Sequence, residues 1–381
     1  MLLIPELTPQ HFTKDLGRIP LLLARWHNWA VGMASEVHVN VPVPLRHIAY
    51  GRGRWSSMQC IWREAPSTDV LQCMHFTWRT ILRACVFKWR NRHGVCYVKL
   101  DLDEPSMLQL ESLARRPLWR WVFGRGAKAI DVFSVESSEM LGRFRSLLAR
   151  CLPGKGPSVL LLPTCGFSGA AVRQRLGQAP APPRTDILFV GRLGAWQKGT
   201  DILLAAFRHL TETLGVQATL TLIGPEAPEF RAMWADWGAA PETRSRVTVR
   251  PPIWDEAPLI DCYLGSRVFV LPSRYEGVPN VLMEAASCGC LLVTTPVGQA
   301  VDLLRNPGVR GWSVPIGDAA RLAEGLALAL GAGEGEGQRA GRIDAFSASL
   351  SWEGEVAKLH GALLGLLGRS VPHAATAVGE G

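Results

Sequence analysis

Two glutamates, Glu276 and Glu284, carry the side chains best suited to chemistry in this sequence. The apolar run just before them, residues 268–272, is typical of a buried parallel strand. The turn between the glutamates leads into small and apolar residues that predict a helix, with Asn280 as its N-cap. Backbone N–H groups at the start of a helix attract phosphate. The unit therefore offers amide donors for a diphosphate and carboxylate acceptors for hydroxyl groups, which are the contacts a sugar nucleotide needs.

A second turn of the same kind lies upstream. The apolar strand predicted at residues 186–190 runs into Gly191 and Arg192, and Lys198 follows just before a helix predicted at residues 200–214. Glycine allows the backbone to turn closely. The Arg192 guanidinium can grip phosphate as a fork, and the Lys198 ammonium supplies a mobile point charge. The spacing predicts a second anion-binding turn.

Residues 272–295 resemble the motif of the retaining glycosyltransferases of family 4. The resemblance implies the GT-B fold, with two Rossmann-like doubly wound α/β domains facing a cleft and a C-terminal helix crossing back to the first domain. It also implies that Glu276 contacts the transferred sugar, that Glu284 holds the ribose hydroxyls, and that Arg192 and Lys198 neutralise the donor diphosphate. Further donor-binding residues implied in the same way are Gly191, Gly277, Val278, Pro279 and Asn280.

Two positions depart from the family pattern. The first loop, where the family often has two glycines, offers only Gly17, which is kept as a candidate for close backbone approach to the donor. The strand position where a His is common holds Asp101. An ionised Asp accepts hydrogen bonds but donates none, so the activation of the acceptor must differ in detail. Asp101 is predicted as the catalytic residue of the first domain, and His75 is the substitute candidate.

Asp101 and Asp103 also form an Asp-x-Asp triplet, which in the other main glycosyltransferase fold holds a divalent metal on the diphosphate. Here the diphosphate already has Arg192, Lys198 and a helix N-terminus. We therefore predict no metal site and no cofactor, with a nucleoside-diphosphate sugar as the donor substrate.

The length of 381 residues suits two domains, and a composition of 48% hydrophobic and 19% charged residues indicates a globular chain. A Pro-rich stretch marks the boundary between the domains. The predicted segments are residues 1–177 as an acceptor-side Rossmann-like domain, 178–184 as a linker, 185–350 as a nucleotide-sugar-binding Rossmann-like domain, 351–368 as the crossover helix and 369–381 as a tail.

The net charge of +8 suits an anionic partner, but no nucleic-acid-binding motif accompanies it, so we predict no nucleic-acid partner. No apolar run approaches the length that spans a bilayer. The N-terminus lacks the form of a secretion signal, and the nine cysteines are scattered. These features predict a cytoplasmic protein whose cysteines are reduced.

The basic residues cluster with aromatic residues in two segments, 76–90 and 114–121. Such segments suit a membrane surface, where aromatic rings lie among the lipid headgroups and Arg meets lipid phosphate. The ordinary alternative is a helix that packs its apolar face on a core and leaves Arg in solvent. Both interpretations stay open for residues 76–90, and the membrane surface is favoured for 114–121.

These observations together predict a retaining, metal-independent hexosyltransferase. Its acceptor would be a glycan or a lipid-linked glycan, met by peripheral contact with the cytosolic face of the membrane. A catalytically silent GT-B scaffold, acting as partner subunit of a membrane glycan-assembly complex, is the alternative. A nicotinamide-dependent enzyme is disfavoured because no Gly-x-Gly-x-x-Gly motif opens the first helix.

Overall fold

The structure is a computed structural model that describes residues 1–5, 15–36, 39–51, 53, 55–152, 154, 156–178, 185–333 and 335–368. Within this part the chain forms two compact units. The first unit contains residues 1–102, 106–162 and the segment from Glu353 onward, and the second contains residues 103–105 and 163–352.

The first unit is built on a parallel sheet of seven strands in the order β3-β2-β1-β4-β5-β6-β7. Its strands are β1 (Leu2–Ile4), β2 (Val31–Ser35), β3 (Arg46–Ala49), β4 (Val70–Met74), β5 (Val95–Lys99), β6 (Val132–Val135) and β7 (Ser158–Leu161). Strands β1, β2, β5 and β6 are buried along their whole length, as in parallel sheets covered by helices on both faces.

The second unit has a parallel sheet of six strands in the order β10-β9-β8-β11-β12-β13. These strands are β8 (Thr185–Val190), β9 (Leu220–Ile223), β10 (Val247–Arg250), β11 (Ser266–Leu271), β12 (Leu291–Thr294) and β13 (Gly311–Ser313). The strand order reverses between β8 and β11, and ligands of such sheets bind beyond the carboxyl ends of the strands at that point.

Helices connect the strands in both units. The described helices are α1 (Asp15–His27), α2 (Ser56–Glu64), α3 (Trp78–Arg90), α4 (Glu104–Ala114), α5 (Pro117–Ala127), α6 (Ser138–Cys151), α7 (Gly169–Gln178), α8 (Thr200–Arg208), α9 (Pro228–Ala235), α10 (Pro241–Arg244), α11 (Glu256–Leu264), α12 (Asn280–Ser287), α13 (Ala300–Leu303), α14 (Ala319–Gly331), α15 (Glu336–Ser349) and α16 (Trp352–Leu366). Of the helices in these ranges, none combines the length and apolar character needed to cross a bilayer.

Side-chain caps fix where several helices begin. Thr77 accepts a hydrogen bond from the Thr80 amide at the start of α3, and Ser137 accepts one from the Met140 amide at the start of α6. Each satisfies a backbone donor that has no partner inside the helix. The helix predicted at residues 200–214 is α-helical only to Arg208 and continues as a π-helical turn.

The boundary between the units differs from the predicted one, because residues 163–177 belong to the second unit rather than the first. The difference has a physical cause in α7, whose arginines pair within the second unit. Arg175 Nε donates to Asp261 Oδ1 at 2.9 Å, and Arg173 Nη1 donates to Asp344 Oδ1 at 3.0 Å. Residues 179–184 of the predicted linker and the predicted tail at 369–381 lie outside the described residues.

The carboxy-terminal helix α16 groups with the first unit from Glu353 on. It packs there on the end of α1. Trp29 Nε1 donates to His360 Nδ1 at 2.9 Å, and the His27 ring stacks on the His360 ring with centroids 4.1 Å apart.

Several predicted elements need correction. The sequence pattern predicts a short strand at residues 37–41, but its described part, residues 39–41, is not a strand. Strand β3 and helix α2 form where the sequence pattern predicts no element. The Gly-rich composition of residues 331–338 predicts a flexible loop, but α15 already begins at Glu336.

Candidate functional site

The two predicted motifs meet at one edge of the second sheet. Strand β8 precedes the turn that carries Arg192 and Lys198, and strand β11 precedes the turn that carries Glu276. Because β8 and β11 are parallel neighbours, their carboxyl ends lie side by side. Residues that are distant in sequence therefore share one site at the point where the strand order reverses.

The carboxylate of Glu276 is buried, with 6% of the residue exposed, and three side chains hold it. Lys198 Nζ donates to its Oε1 at 2.6 Å, and Ser273 Oγ donates to the same oxygen at 2.7 Å. Gln197 Nε2 lies 3.3 Å from the other oxygen. Charge-assisted hydrogen bonds of this kind are strong and directional, so the carboxylate has one fixed orientation.

Gln197 links Arg192 to the Glu276 carboxylate. It donates to the Tyr275 carbonyl at 3.1 Å and to Glu276, and its Oε1 accepts from Arg192 Nη2 at 2.9 Å. Arg192 itself is exposed, so its other guanidinium N–H groups face solvent, where an anion can reach them. Sequence reasoning missed Gln197 and Ser273, because neither residue type signals chemistry without knowledge of its neighbours.

A second ion pair fastens the two turns to each other. Arg274 donates to both carboxylate oxygens of Asp201, at 2.9 and 2.6 Å, and its backbone amide donates to the Gln197 carbonyl at 2.8 Å. Its guanidinium also lies 4.8 Å from the centre of the Trp196 ring. Burial works against ionisation of Asp201, but the hydrogen bonds and charge of Arg274 outweigh it and lower the pKa of that carboxyl.

Two glycines allow the backbones at the site to approach closely. Gly199 has φ +67°, and a Cβ there would lie 2.2 Å from the Pro272 carbonyl oxygen. Gly298 has φ +52°, and a Cβ there would lie 2.2 Å from the Gly277 carbonyl oxygen. Only glycine fits both the conformation and the space at these positions. They therefore determine where the turns that carry Lys198 and Glu276 lie.

Glu284 lies further along α12 and is half-buried. Its Oε2 accepts a hydrogen bond of 2.8 Å from the Tyr263 hydroxyl. Burial raises the pKa of Tyr263 well above its usual value, and the charge of Glu284 and the hydrogen bond raise it further. The phenol therefore stays protonated and donates to Glu284 throughout the physiological pH range.

The prediction that Asn280 caps α12 is wrong. Pro279 occupies the N-cap position, no side chain caps this helix, and Asn280 is the first helical residue. The fixed φ of proline turns the chain one residue earlier than the Asn signal indicates. Gly277, Val278 and Asn280 are half-buried in this turn, and Pro279 is buried. Gly191, the remaining donor candidate, follows β8 directly and is half-buried.

The first-domain candidates lie in the first unit. Asp101 is exposed two residues beyond β5. His75 is exposed directly after β4 and has φ +53°, an unusual backbone conformation for a residue with a side chain. Gly17 is buried inside α1 and not in the loop that the sequence predicted, because α1 begins at Asp15.

Metal-ligating side chains do not gather in the described ranges: no three residues among His, Cys, Asp and Glu are grouped so that they could hold an ion. The cations at the site in the second unit are instead Arg192 and Lys198.

Comparison with known proteins gives a family model described as Glycosyl transferases group 1, which matches residues 184–331. A D-inositol 3-phosphate glycosyltransferase of Acidothermus cellulolyticus is 33% identical over 147 residues, which are 36% of this chain and 31% of that protein. A putative colanic acid biosynthesis glycosyltransferase, WcaL, of Salmonella typhimurium is 27% identical over 218 residues, 55% of this chain and 49% of that protein. This chain thus spans less than half the length of either relative.

Among solved structures, HepE of Anabaena in complex with UDP superposes with a TM-score of 0.69 at 15% identity, covering 96% of this chain and 99% of that one. Such a likeness shows the fold alone, and the fold is GT-B, with two parallel-sheet Rossmann-like domains. Residues 184–331, which the family model matches, contain both turns and both glutamates described above. Residues 184–331 are therefore a Glycosyl transferases group 1 domain.

Proposed function

We propose that this protein is a retaining, metal-independent glycosyltransferase of family 4 that moves a hexose from a nucleoside-diphosphate sugar to an acceptor hydroxyl. The observation that carries the proposal is the network in which Lys198, Ser273 and Gln197 hold the Glu276 carboxylate while Gln197 also holds Arg192. It brings two cations and an oriented carboxylate together beyond adjacent strand ends. A sugar diphosphate needs cations for its phosphates and a hydrogen-bond acceptor for its hydroxyl groups.

Each group has a role that follows from its chemistry. Arg192 and Lys198 counter the negative charge that grows on the departing diphosphate, an effect worth about 3 kcal/mol for one well-placed donor. These fixed cations supply the positive charge that a metal ion would otherwise supply. Glu276 accepts from a hydroxyl of the transferred sugar. Glu284 accepts from the ribose hydroxyls.

Retention is proposed without a protein nucleophile. Both oxygens of Glu276 already accept hydrogen bonds from the protein, which lowers the reactivity of the carboxylate toward an anomeric carbon. The acceptor oxygen would instead attack from the face that the diphosphate leaves, and the acceptor proton would pass to the departing phosphate oxygen. Asp101 is proposed to accept a hydrogen bond from a hydroxyl of the acceptor.

The test is a calorimetric titration with UDP-, GDP- and ADP-sugars, with and without EDTA, followed by a turnover assay. One nucleotide class should bind, EDTA should have no effect, and the product should keep the anomeric configuration of the donor by NMR. Glu276→Gln should lower turnover at least about a hundredfold with nucleotide affinity nearly unchanged. The matched control is Glu242→Gln, an exposed glutamate of α10, which should behave as wild type.

Each possible outcome tests a different part of the proposal. An inverted product would contradict retention, and loss of binding with EDTA would contradict metal independence. Nucleotide binding without turnover of any acceptor would favour the silent GT-B partner subunit. Full activity of the Glu276→Gln variant would remove Glu276 from the mechanism.

The finer proposal is a polysaccharide or lipid-linked acceptor met at the cytosolic face of a membrane. The first unit exposes large apolar side chains near arginines, namely Trp62, Trp89, Leu118 and Trp121. Arg90 lies 5.6 Å from the Trp62 ring centre and Arg125 lies 5.8 Å from that of Trp121. Large exposed rings beside guanidinium groups suit the interface of an anionic bilayer.

Vesicle sedimentation tests the membrane contact. Binding should appear with phosphatidylglycerol in phosphatidylcholine vesicles, weaken with salt, and fall several-fold in the Trp89→Ala, Trp121→Ala variant. Trp254→Ala is the control, since Trp254 is 80% exposed in the second unit. Equal binding by the variant, or none by the wild type, would contradict the membrane contact and leave the transferase proposal intact.

A further inference from the structure

The first unit contains a pocket of about 200 Å³ that the proposed donor chemistry does not use. It is lined by Glu36, Tyr50, Gly53, Trp55, Ser57, Met58, Trp78, Arg79 and Arg83. Glu36 directly follows β2, Tyr50 directly follows β3, and α3 follows β4. The pocket therefore lies beyond the carboxyl ends of parallel strands, which is where ligands of such sheets bind.

The wall of the pocket favours an anion. Arg83 is only 5% exposed although it lines the pocket, and its Nη2 donates to Ser57 Oγ at 3.2 Å. Arg79 adds a second guanidinium, against the single carboxylate of Glu36. An anion held beside the shielded Arg83 would interact with it more strongly than in bulk water, since the local dielectric is low.

The helices that open at the pocket add to this preference. Ser57 lies in the first turn of α2 and Arg79 in the first turn of α3, and neither helix has an acidic residue in that turn. The positive ends of these two helix dipoles therefore lie at the pocket without an acidic side chain in either first turn.

Two indole rings give the pocket an apolar surface as well. Trp55 and Trp78 are each 54% exposed, and the Arg79 guanidinium lies 5.6 Å from the centre of the Trp78 ring. The C–H face of a sugar ring packs well on such a flat surface. Guanidinium groups and exposed indoles together match a sugar that carries an anionic group.

We infer that this pocket binds the anionic group, phosphate or carboxylate, of an acidic acceptor sugar. Arg83 and Arg79 bind the anion, and Trp55 and Trp78 contact the sugar ring. The role as acceptor site rests on the proposed transferase function, whereas the binding of acidic sugars does not. The donor candidates Arg192, Lys198 and Glu276 lie in the other unit, so the two sites can be tested separately.

Isothermal titration calorimetry of the full chain at low salt tests the inference with glucose 6-phosphate, glucuronic acid, glucose and inorganic phosphate. At least one acidic sugar should bind about tenfold or more tightly than glucose and than inorganic phosphate. The stronger of the two acidic sugars identifies the anionic group as phosphate or carboxylate. Arg79→Gln and Arg83→Gln should each abolish the preference over glucose.

The control is Arg150→Gln, an exposed arginine of α6, which should keep the preference. Arg83→Lys serves as a second variant at the buried position, and thermal unfolding with a UDP titration shows that each variant is folded. Equal affinity for glucose and the acidic sugars would overturn the inference, as would unchanged preference in folded Arg79 and Arg83 variants. Inorganic phosphate binding as tightly as glucose 6-phosphate would overturn the role of the indoles.

Discussion

Glu284 is half-buried and solvent can reach it, yet its Oε2 accepts a hydrogen bond from a tyrosine that is fully buried. Tyr263 packs in the core of the second unit, so its hydroxyl cannot follow Glu284 if that side chain moves. A rigid donor of this kind makes Tyr263 a positioning residue, because it restricts the rotamers of a carboxylate proposed to hold ribose.

Tyr263→Phe should therefore weaken nucleoside diphosphate binding about three- to tenfold, since a net hydrogen bond contributes about 1 kcal/mol. The readout is the UDP, GDP or ADP affinity by calorimetry. Tyr97→Phe is the matched control, since Tyr97 is a buried tyrosine of the first unit whose hydroxyl contacts Ser134 Oγ at 2.8 Å. Loss of affinity in both variants would point to general destabilisation, and loss in neither would contradict the role of Tyr263.

At this scale the sequence predicts the groups that carry charge but not the residues that hold them. The types and spacing of Arg192, Lys198 and Glu276 predict a donor site, and the structure brings the three together. Ser273 and Gln197 escape prediction because serine and glutamine are ordinary residues at strand ends. Their importance depends on the pairing of β8 with β11, which no local pattern contains.

The turns between strand and helix form the next scale, and glycine controls their geometry. Gly199→Ala would place a Cβ 2.2 Å from the Pro272 carbonyl oxygen at φ +67°. We expect a loss of about 1–3 kcal/mol in the free energy of unfolding, from strain alone or strain with a backbone shift. Donor affinity should fall as well, because the turn that carries Lys198 must move. Denaturant unfolding and nucleotide titration measure the two effects.

Gly142→Ala is the comparison for this variant. Gly142 lies in α6, and a Cβ there would meet no atom within 4 Å. Alanine should raise the free energy of unfolding by about 0.5–1 kcal/mol, because it favours the helix and adds no clash. A Gly199→Ala protein as stable as the Gly142→Ala protein would contradict the close approach.

Elements with continuous apolar runs are predictable, whereas two of the four edge strands, β3 and β13, are not. The interior strands β8 and β11 are predicted from such runs. Strands β3 and β13 are the first and last in their sheets, and both were missed. An edge strand has a neighbour on one side only and is short and partly exposed, so it lacks the apolar pattern that marks an interior strand.

At the scale of the whole molecule, the contact between α1 and α16 inside the first unit makes the stability depend on pH. Burial lowers the pKa of His27, and burial together with the charge of His27 lowers the pKa of His360. The unfolded chain, with histidines near pKa 6.5, then binds more protons than the folded chain in mildly acidic solution. The stability contributed by these histidines is present above about pH 6.5 and is lost as pH falls toward the folded-state pKa values.

We therefore expect the melting temperature of the full chain to decrease as pH is lowered below about 6.5. A protein with His27→Gln and His360→Gln should show a smaller decrease. His93→Gln, at an exposed position of the same unit, should keep the wild-type pH dependence. An identical pH profile for the double variant would show that other groups govern the acid sensitivity.

The division of the chain into units also could not be predicted from the sequence and required the structure. Helix α7 is mostly exposed and polar, and its sequence does not indicate a unit. Its ion pairs with Asp261 and Asp344, residues far along the chain, place it in the second unit. A Pro-rich segment marks a local change in amino-acid composition. A domain boundary, in contrast, is determined by contacts between residues that are far apart in the sequence.

The first unit takes in both early residues and the helix that begins at Trp352. When the last strand of the first sheet, β7, has just been translated, His360 has therefore not yet been translated. His360 is the residue that accepts the hydrogen bond of Trp29. All six strands of the second unit are translated before it. The second unit can thus become complete while the first still waits for its final helix, which reverses the usual order in which the earlier domain folds first during synthesis.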